Sequence, residues 1–223
     1  MCDEAGEDLI GEGDLEGVDP NDELFATKPR RTRKMFAYDW SEGFVSPFLP
    51  SPDGLGERML DAQGVDAETL VCDLGSGEGD LMVEAVKRGA HAVGFELSGE
   101  LNLTATRRLQ EHVGSSFELF QRDFLSPDLD LEVELKGMLR SRPSCKKLVL
   151  VMFLLPEALV KLLPALKRCF PMCSALLTVR WPLPIEDSQP VEGRSMIAFP
   201  PPPCNNGHGD GYWMYTPRAS QDQ

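Results

Sequence analysis

Several things are scarce in this chain of 223 residues, and each scarcity removes a class of protein. It has three histidines, His91, His112 and His208, scattered so that no triad with a serine or cysteine suggests itself. None of its six cysteines forms a C-x-x-C pair, and no His-x-His accompanies them, so a zinc centre has no framework to stand on. Cys169 and Cys173 straddle the end of an expected helix and offer the nearest thing to a metal pair. The longest apolar run, Leu148 to Pro156, is strand-sized and well short of the roughly 18–20 residues that span a bilayer, so no membrane insertion is expected. The first ten residues show no basic start leading into an apolar stretch, so no secretory signal is expected and a disulfide framework is improbable. A formal net charge of −14 argues against an all-over basic footprint, and no nucleic-acid partner is expected.

What charge there is sits unevenly. Residues 1–24 hold ten of the 36 acids and no Lys or Arg, which leaves 26 acids against 22 bases in the rest, a net −4. The acidic segment is glycine-rich and too poor in apolar residues to offset its own ordering entropy, so residues 1–26 are read as a disordered tail. A basic linker or arm follows over 27–44, with Lys28, Arg30, Arg31, Arg33 and Lys34. That run suits a solvated linker or a nuclear address, so the expected location is the cytoplasm, with the nucleus as the alternative.

From residue 45 the pattern becomes that of a folded domain reaching to 217, with a short tail over 218–223. Asp53 to Gln63 reads as a helix with an Asp N-cap. Strand-like stretches follow at Leu70–Leu74, Ala92–Phe95, Phe117–Gln121, Lys147–Leu154, Ala175–Arg180 and Gly211–Thr216. Helical ones lie between them at Asp80–Arg88, Gly99–His112 and, more weakly, Leu129–Leu139. Pro164 interrupts the helical pattern after Pro156, which predicts two pieces, about 157–162 and 164–170. Residues 182–211 are rich in Pro, Gly and Asn and read as a connection, with Pro200 to Pro203 stiffly extended. Alternation of this kind defines an α/β fold with a doubly wound, mostly parallel sheet. The run KLVLVMFL is apolar enough that only a sheet covered on both faces would bury it.

The chemistry concentrates in Val71-Cys-Asp-Leu-Gly-Ser-Gly-Glu-Gly-Asp80. A glycine-rich turn from strand to helix lets a ligand approach the backbone at a helix N-terminus. The dinucleotide pattern G-x-G-x-x-G would need glycine at 80, where Asp80 stands; the pattern present is Gly75, Gly77, Gly79. Asp73, Glu78 and Asp80 place three carboxylates in or beside the turn, and these would repel a pyrophosphate and welcome a cation. S-adenosyl-L-methionine, with a sulfonium, an ammonium and one carboxylate, fits that field. Asp73 is placed to face its amino group, and the loop amides its carboxylate. Glu96, at the end of the second strand and 21 residues after Gly75, is placed for the ribose hydroxyls. Asp123 and Phe124, after the third strand, are suited to an adenine amino group and ring face.

Taken together, residues 45–216 resemble the class I (seven-strand, Rossmann-like) S-adenosylmethionine-dependent methyltransferases in motif order and spacing. The closest likeness within them is to the Dot1-related protein-lysine methyltransferases, which include the enzymes acting on adenine nucleotide translocase and the ATP synthase c subunit. The narrower likeness rests on Ser46-Pro-Phe-Leu-Pro-Ser-Pro52, on Asp73 to Asp80, on Ala92 to Leu97, on Phe153-Leu-Leu-Pro156, on Arg180-Trp-Pro-Leu-Pro184 and on Tyr212-Trp-Met-Tyr215. Phe48 stands where those enzymes have tyrosine.

This resemblance implies a seven-stranded sheet and a cofactor held by Pro50, Ser51, Asp73, Gly75, Ser76, Gly77, Gly79, Glu96, Leu97, Asp123, Phe124 and Phe153. It implies a catalytic mouth at Phe153, Pro156 and Trp181, with Leu154, Pro182 and Phe48 beside them, and a protein substrate bearing a lysine. Asn-Pro-Pro-Tyr, expected of many nucleic-acid and glutamine N-methyltransferases, is absent, and Phe153-Leu-Leu-Pro156 occupies its place. The alternatives are a small-molecule methyltransferase and a cofactor-binding module without turnover.

Overall fold

The computed structural model describes residues 46, 48–112, 116–185, 190–191, 194–199 and 211–219. The acidic tail, the basic run and Pro200–Pro203 lie outside the described residues. Five parallel strands form the half of the sheet that matters for the site: β1 (Thr69–Leu74), β2 (His91–Glu96), β3 (Ser116–Gln121), β4 (Lys147–Met152) and β5 (Ala175–Val179). β6 (Pro190–Val191), β7 (Arg194–Phe199) and β8 (Tyr212–Ala219) continue the sheet in antiparallel sense, in the order β3-β2-β1-β4-β5-β8-β7-β6. The doubly wound, mostly parallel sheet is therefore present. Its antiparallel end carries β7 and the two-residue edge strand β6 in a stretch the sequence reading takes for a connection. Residues 194–199 (RSMIAF) lack clean alternation and run into four prolines, so their pairing with β8 has no local signature.

Two hydrophobic layers sandwich the sheet. On one face Val71, Ala92, Val149, Val151 and Leu177 meet α1 (Leu55–Ala62), α2 (Asp80–Lys87) and α3 (Gly99–Gln110). On the other, Leu70, Cys72, Leu74, Leu148, Leu150 and Leu176 meet α4 (Leu131–Ser141) and α5 (Pro156–Cys169). Burial on both faces is what allows β1 to be buried at every position. Cys72, Cys145, Cys169 and Cys173 are free thiols within this core, and burial pushes each of them up, which keeps them protonated. The Cys173 thiol donates to the Cys169 carbonyl at 3.4 Å, so the two cysteines are core packing.

Two expectations about helices are corrected. Asp53 does not cap α1: the N-cap is Gly54, at φ 70°, and the turn is closed by Leu55 N–H to the Pro52 carbonyl at 3.1 Å. Nor does Pro164 split α5, which runs unbroken from Pro156 to Cys169. Pro164 and Val160 both lie on the exposed side, where the carbonyl deprived of its N–H partner meets water. Meanwhile Ala158, Leu159, Leu162, Leu166 and Cys169 hold both halves of the helix against the core. The proline is thus tolerated. Replacing Pro164 with Ala should raise stability by roughly 1–3 kcal/mol, less the ~0.4–1 kcal/mol that proline contributes by stiffening the unfolded chain. A thermal melt that shifts up by a few degrees is the expected result.

Candidate functional site

The parallel strands bring their C-terminal ends to one edge of the sheet, where ligands bind in open α/β folds. β1 delivers Asp73 there and β2 delivers Glu96. Asp73 pairs in register with Gly94, so Glu96 lies two residues further along the same face, the face that carries α1, α2 and α3. Both carboxylates are buried. Gly94 between them is obligatory for packing: a Cβ there would lie 2.5 Å from Met82 Sδ and 2.6 Å from Ser76 Oγ. Without that Cβ, α2 can approach the sheet and the turn of residues 75–79 can close over β2.

The turn is largely self-satisfied. Gly75 and Ser76 N–H both donate to the Phe95 carbonyl, at 2.8 and 3.1 Å, and Gly79 N–H donates to the Ser76 carbonyl at 2.8 Å. Gly77 N–H donates to Glu96 Oε2 at 2.9 Å, while Ser98 N–H donates to Glu96 Oε1 at 2.8 Å. Gly75, Gly77 and Gly79 all have positive φ, the conformation that lets the chain fold back on itself so tightly. The expectation that the loop amides face a ligand carboxylate is accordingly corrected: four of them already have intramolecular acceptors. Ser76 Oγ is buried without a hydrogen-bond partner among the described residues.

The charge reading is also corrected in part. Glu78 and Asp80 do not act as free carboxylates beside Asp73. Arg108, from α3, has its Nη2 2.5 Å from Asp80 Oδ1 and its Nη1 3.9 Å from Glu78 Oε2, and it also donates to the Glu78 carbonyl at 2.8 Å. One guanidinium so compensates two of the three acids, and 28 residues of separation hide the partnership from local pattern. Asp73 has no such relief. Burial, and then the charges of Glu96 and Asp80, raise its carboxyl from 3.8 to about 7. Burial likewise pushes Glu96 up, against the N–H groups of Ser98, Gly77 and Leu97, which favour its charged form.

Around this centre the other candidate residues fall in three groups. The N-terminal segment reaches the loop: Ser46 Oγ accepts Leu155 N–H at 3.3 Å, and a Cβ on Gly77 would lie 2.5 Å from Phe48 Cε2, so the Phe48 ring rests on the apex of the turn. Pro50 and Ser51 follow, half-buried, and Ser51 borders a cleft of about 400 Å³ shared with Asp80, Glu84 and Arg108. Leu97, Asp123 and Phe124 are half-buried past the ends of β2 and β3. Asp123 Oδ1 accepts Leu125 N–H at 2.8 Å, and Phe124 packs on the core beneath α4 and α5. The third group is aromatic: Phe153 after β4 and Trp181 after β5 come together with ring centroids 6.0 Å apart, and Leu154 is buried with a methyl 3.1 Å from where a Gly75 Cβ would be. Pro156 is exposed and serves as the first residue of α5.

Sequence reasoning missed Arg180. Its backbone has φ 66°, the left-handed region, and it alone among the described non-glycine residues does so. The turn is held by Arg180 N–H to the Gly211 carbonyl at 2.8 Å, Trp181 N–H to the Val179 carbonyl at 2.8 Å and the Thr178 hydroxyl to the Trp181 carbonyl at 2.7 Å. Its guanidinium carbon lies 5.2 Å from the Trp181 ring centroid, a cation–π contact.

No family model matches the chain, and no curated protein does. Solved structures do. An RNA methyltransferase from Salinibacter ruber, in complex with S-adenosyl-L-homocysteine, matches with a TM-score of 0.53 and 23% identity over 75% of this chain and 92% of that one. The 23S rRNA methyltransferase ErmE matches with a TM-score of 0.53 and 14% identity over 79% and 72%. At these identities the likeness is one of fold: a mostly parallel, Rossmann-like α/β sheet such as these methyltransferases have.

The buried Asp73 has a direct stability consequence. Because its folded pKa is raised, the stability it contributes is fully present below about 3.8 and is lost as pH rises through about 7. Asp73→Asn removes that burden, worth up to about 4 kcal/mol at pH 8. The variant should melt several degrees higher than the parent at pH 8, with the gap shrinking toward pH 5. A gap that is constant with pH, or of opposite sign, would contradict the assignment.

Proposed function

We propose that the chain is an S-adenosylmethionine-dependent methyltransferase whose acceptor is a lysine side chain of a protein. The observation that carries the cofactor half is Asp73: a buried carboxylate with no hydrogen-bond donor or counter-ion among the described residues, at the sheet edge where such folds hold ligands. An isolated buried carboxylate is expensive, and an incoming ammonium is its natural complement. Glu96 fits the ribose hydroxyls equally well. Its carboxylate takes the Gly77 and Ser98 N–H groups and keeps a lone pair for a hydroxyl donor. Pro50, Ser51, Gly75, Ser76, Gly77, Gly79, Leu97, Asp123, Phe124 and Phe153 complete the surface on which the nucleoside would lie. The neighbour crystallised with S-adenosyl-L-homocysteine supports the same reading.

When bound, the cofactor supplies an activated methyl group for in-line displacement. The chain's part is to hold the acceptor amine about 3–3.5 Å from that carbon and in line, and to bring it there uncharged. Phe153, Leu154 and Trp181 form an apolar border that favours the neutral amine over the ammonium, whose ordinary pKa is near 10.4. With Arg180 against Trp181, that ring already receives a cation, and Phe153 offers its own face to the acceptor and its methylated products. No side chain at the border is assigned as a general base.

Calorimetry with S-adenosyl-L-homocysteine tests the cofactor half: Asp73→Ala and Glu96→Ala, each still folded, should weaken binding tenfold or more, and unchanged affinity in both removes it. Radiolabelled S-adenosylmethionine added with the enzyme to cell lysate tests the acceptor. Label in discrete protein bands, stable to treatments that cleave methyl esters, is the expected outcome. Label in RNA or in small metabolites would replace lysine as the acceptor, and no label at all would favour a binding module.

A further inference from the structure

Asp73 and Glu96 share one face of the sheet edge, a diagonal step apart across β1 and β2, and both are buried. Among the described residues, the charged and titratable groups around Asp73 come from four elements. On β1 the neighbour is the buried thiol Cys72; on β4 the residue in register is apolar Val151. From β2 comes Glu96, and from the turn and α2 come Glu78 and Asp80. Arg108 of α3 is engaged by Asp80 and Glu78. Two buried carboxyls therefore stand together, with backbone N–H donors only on Glu96. Two like charges so placed cannot both ionise freely in a dry pocket.

Resting on the cofactor reading above, we infer that the Asp73–Glu96 pair holds one proton before the cofactor arrives and releases it as the cofactor's ammonium takes its place. The O–H bond of the protonated carboxyl breaks, the proton passes to the buffer, and the ammonium keeps its own protons and becomes the counter-ion. Cofactor uptake is then linked to pH near neutrality. Affinity falls as the medium acidifies below about 7 and levels off above it, because binding must first expel the proton. The burial of Asp73 raises its carboxyl to the range where this matters.

Isothermal titration of the full chain with S-adenosyl-L-homocysteine, in buffers of different ionisation enthalpy, counts the protons. The expected release is greatest at pH 6 and declines through pH 7 to pH 8. Asp73→Asn should reduce it to near zero. Tight binding with no proton exchange at any of these pH values, or an exchange unaltered in Asp73→Asn, overturns the inference while leaving the cofactor reading intact. Failure of the parent chain to bind at all overturns both. Should the variant not fold or bind, infrared difference spectra of the parent with carbon-13-labelled aspartate decide. A protonated-carboxyl C=O band lost on ligand addition is the expected signature, and its absence from the free protein refutes the proposal.

Discussion

The site depends on one carboxylate spanning two backbone amides. Glu96 takes Gly77 N–H with one oxygen and Ser98 N–H with the other, and its carbonyl accepts from the Asn102 side chain at 3.0 Å. It thus fastens the apex of the glycine turn, the end of β2 and the start of α3 to one point. Charge-assisted bonds of this kind are among the stronger ones available, and here they are sheltered from water. Burial of Asp73 beside it follows from the same closure. Once the turn is drawn down on β2 over Gly94, the last polar side chain of β1 is left only 7% exposed.

A consequence is that the turn keeps its shape by itself. Four of its amides have partners within the protein, so the loop is ordered without a ligand. What is left unsatisfied beside the turn is a carboxylate, together with the Ser76 hydroxyl. The negative potential of the site is therefore localised. Arg108 offsets much of the charge of Glu78 and Asp80, so Asp73 and Glu96 are the carboxyls left without a cationic partner.

Much of this was legible in the sequence because the relevant interactions are local or are enforced by burial. Val71 to Asp80 announces a strand, a turn and a helix by apolar run, glycine and acid. KLVLVMFL announces a strand covered on both sides. The placement of Asp73 and Glu96 followed from strand ends and a spacing of about twenty residues. What escaped was non-local. Arg108 sits 28 positions beyond Asp80, and the pairing of β7 with β8 bridges a proline-rich stretch. The fate of the loop amides depends on where β2 ends in space. Pro164 escaped for another reason: its penalty was read as decisive, whereas tertiary packing of the Leu159, Leu162 and Leu166 stripe outweighs one lost hydrogen bond on a wet helix face. Phe48 was singled out by what it lacks, a hydroxyl, but its ring on Gly77 is what places it.

The turn after β5 carries a further implication. Glycine would adopt the backbone of residue 180 freely, whereas a side chain there costs about 1–2 kcal/mol. An arginine in that position is a choice against thermodynamic ease. The polypeptide accepts a standing conformational debt at the rim of the sheet so that a guanidinium remains moored against an indole. Whatever molecule approaches Trp181 must negotiate with that moored charge.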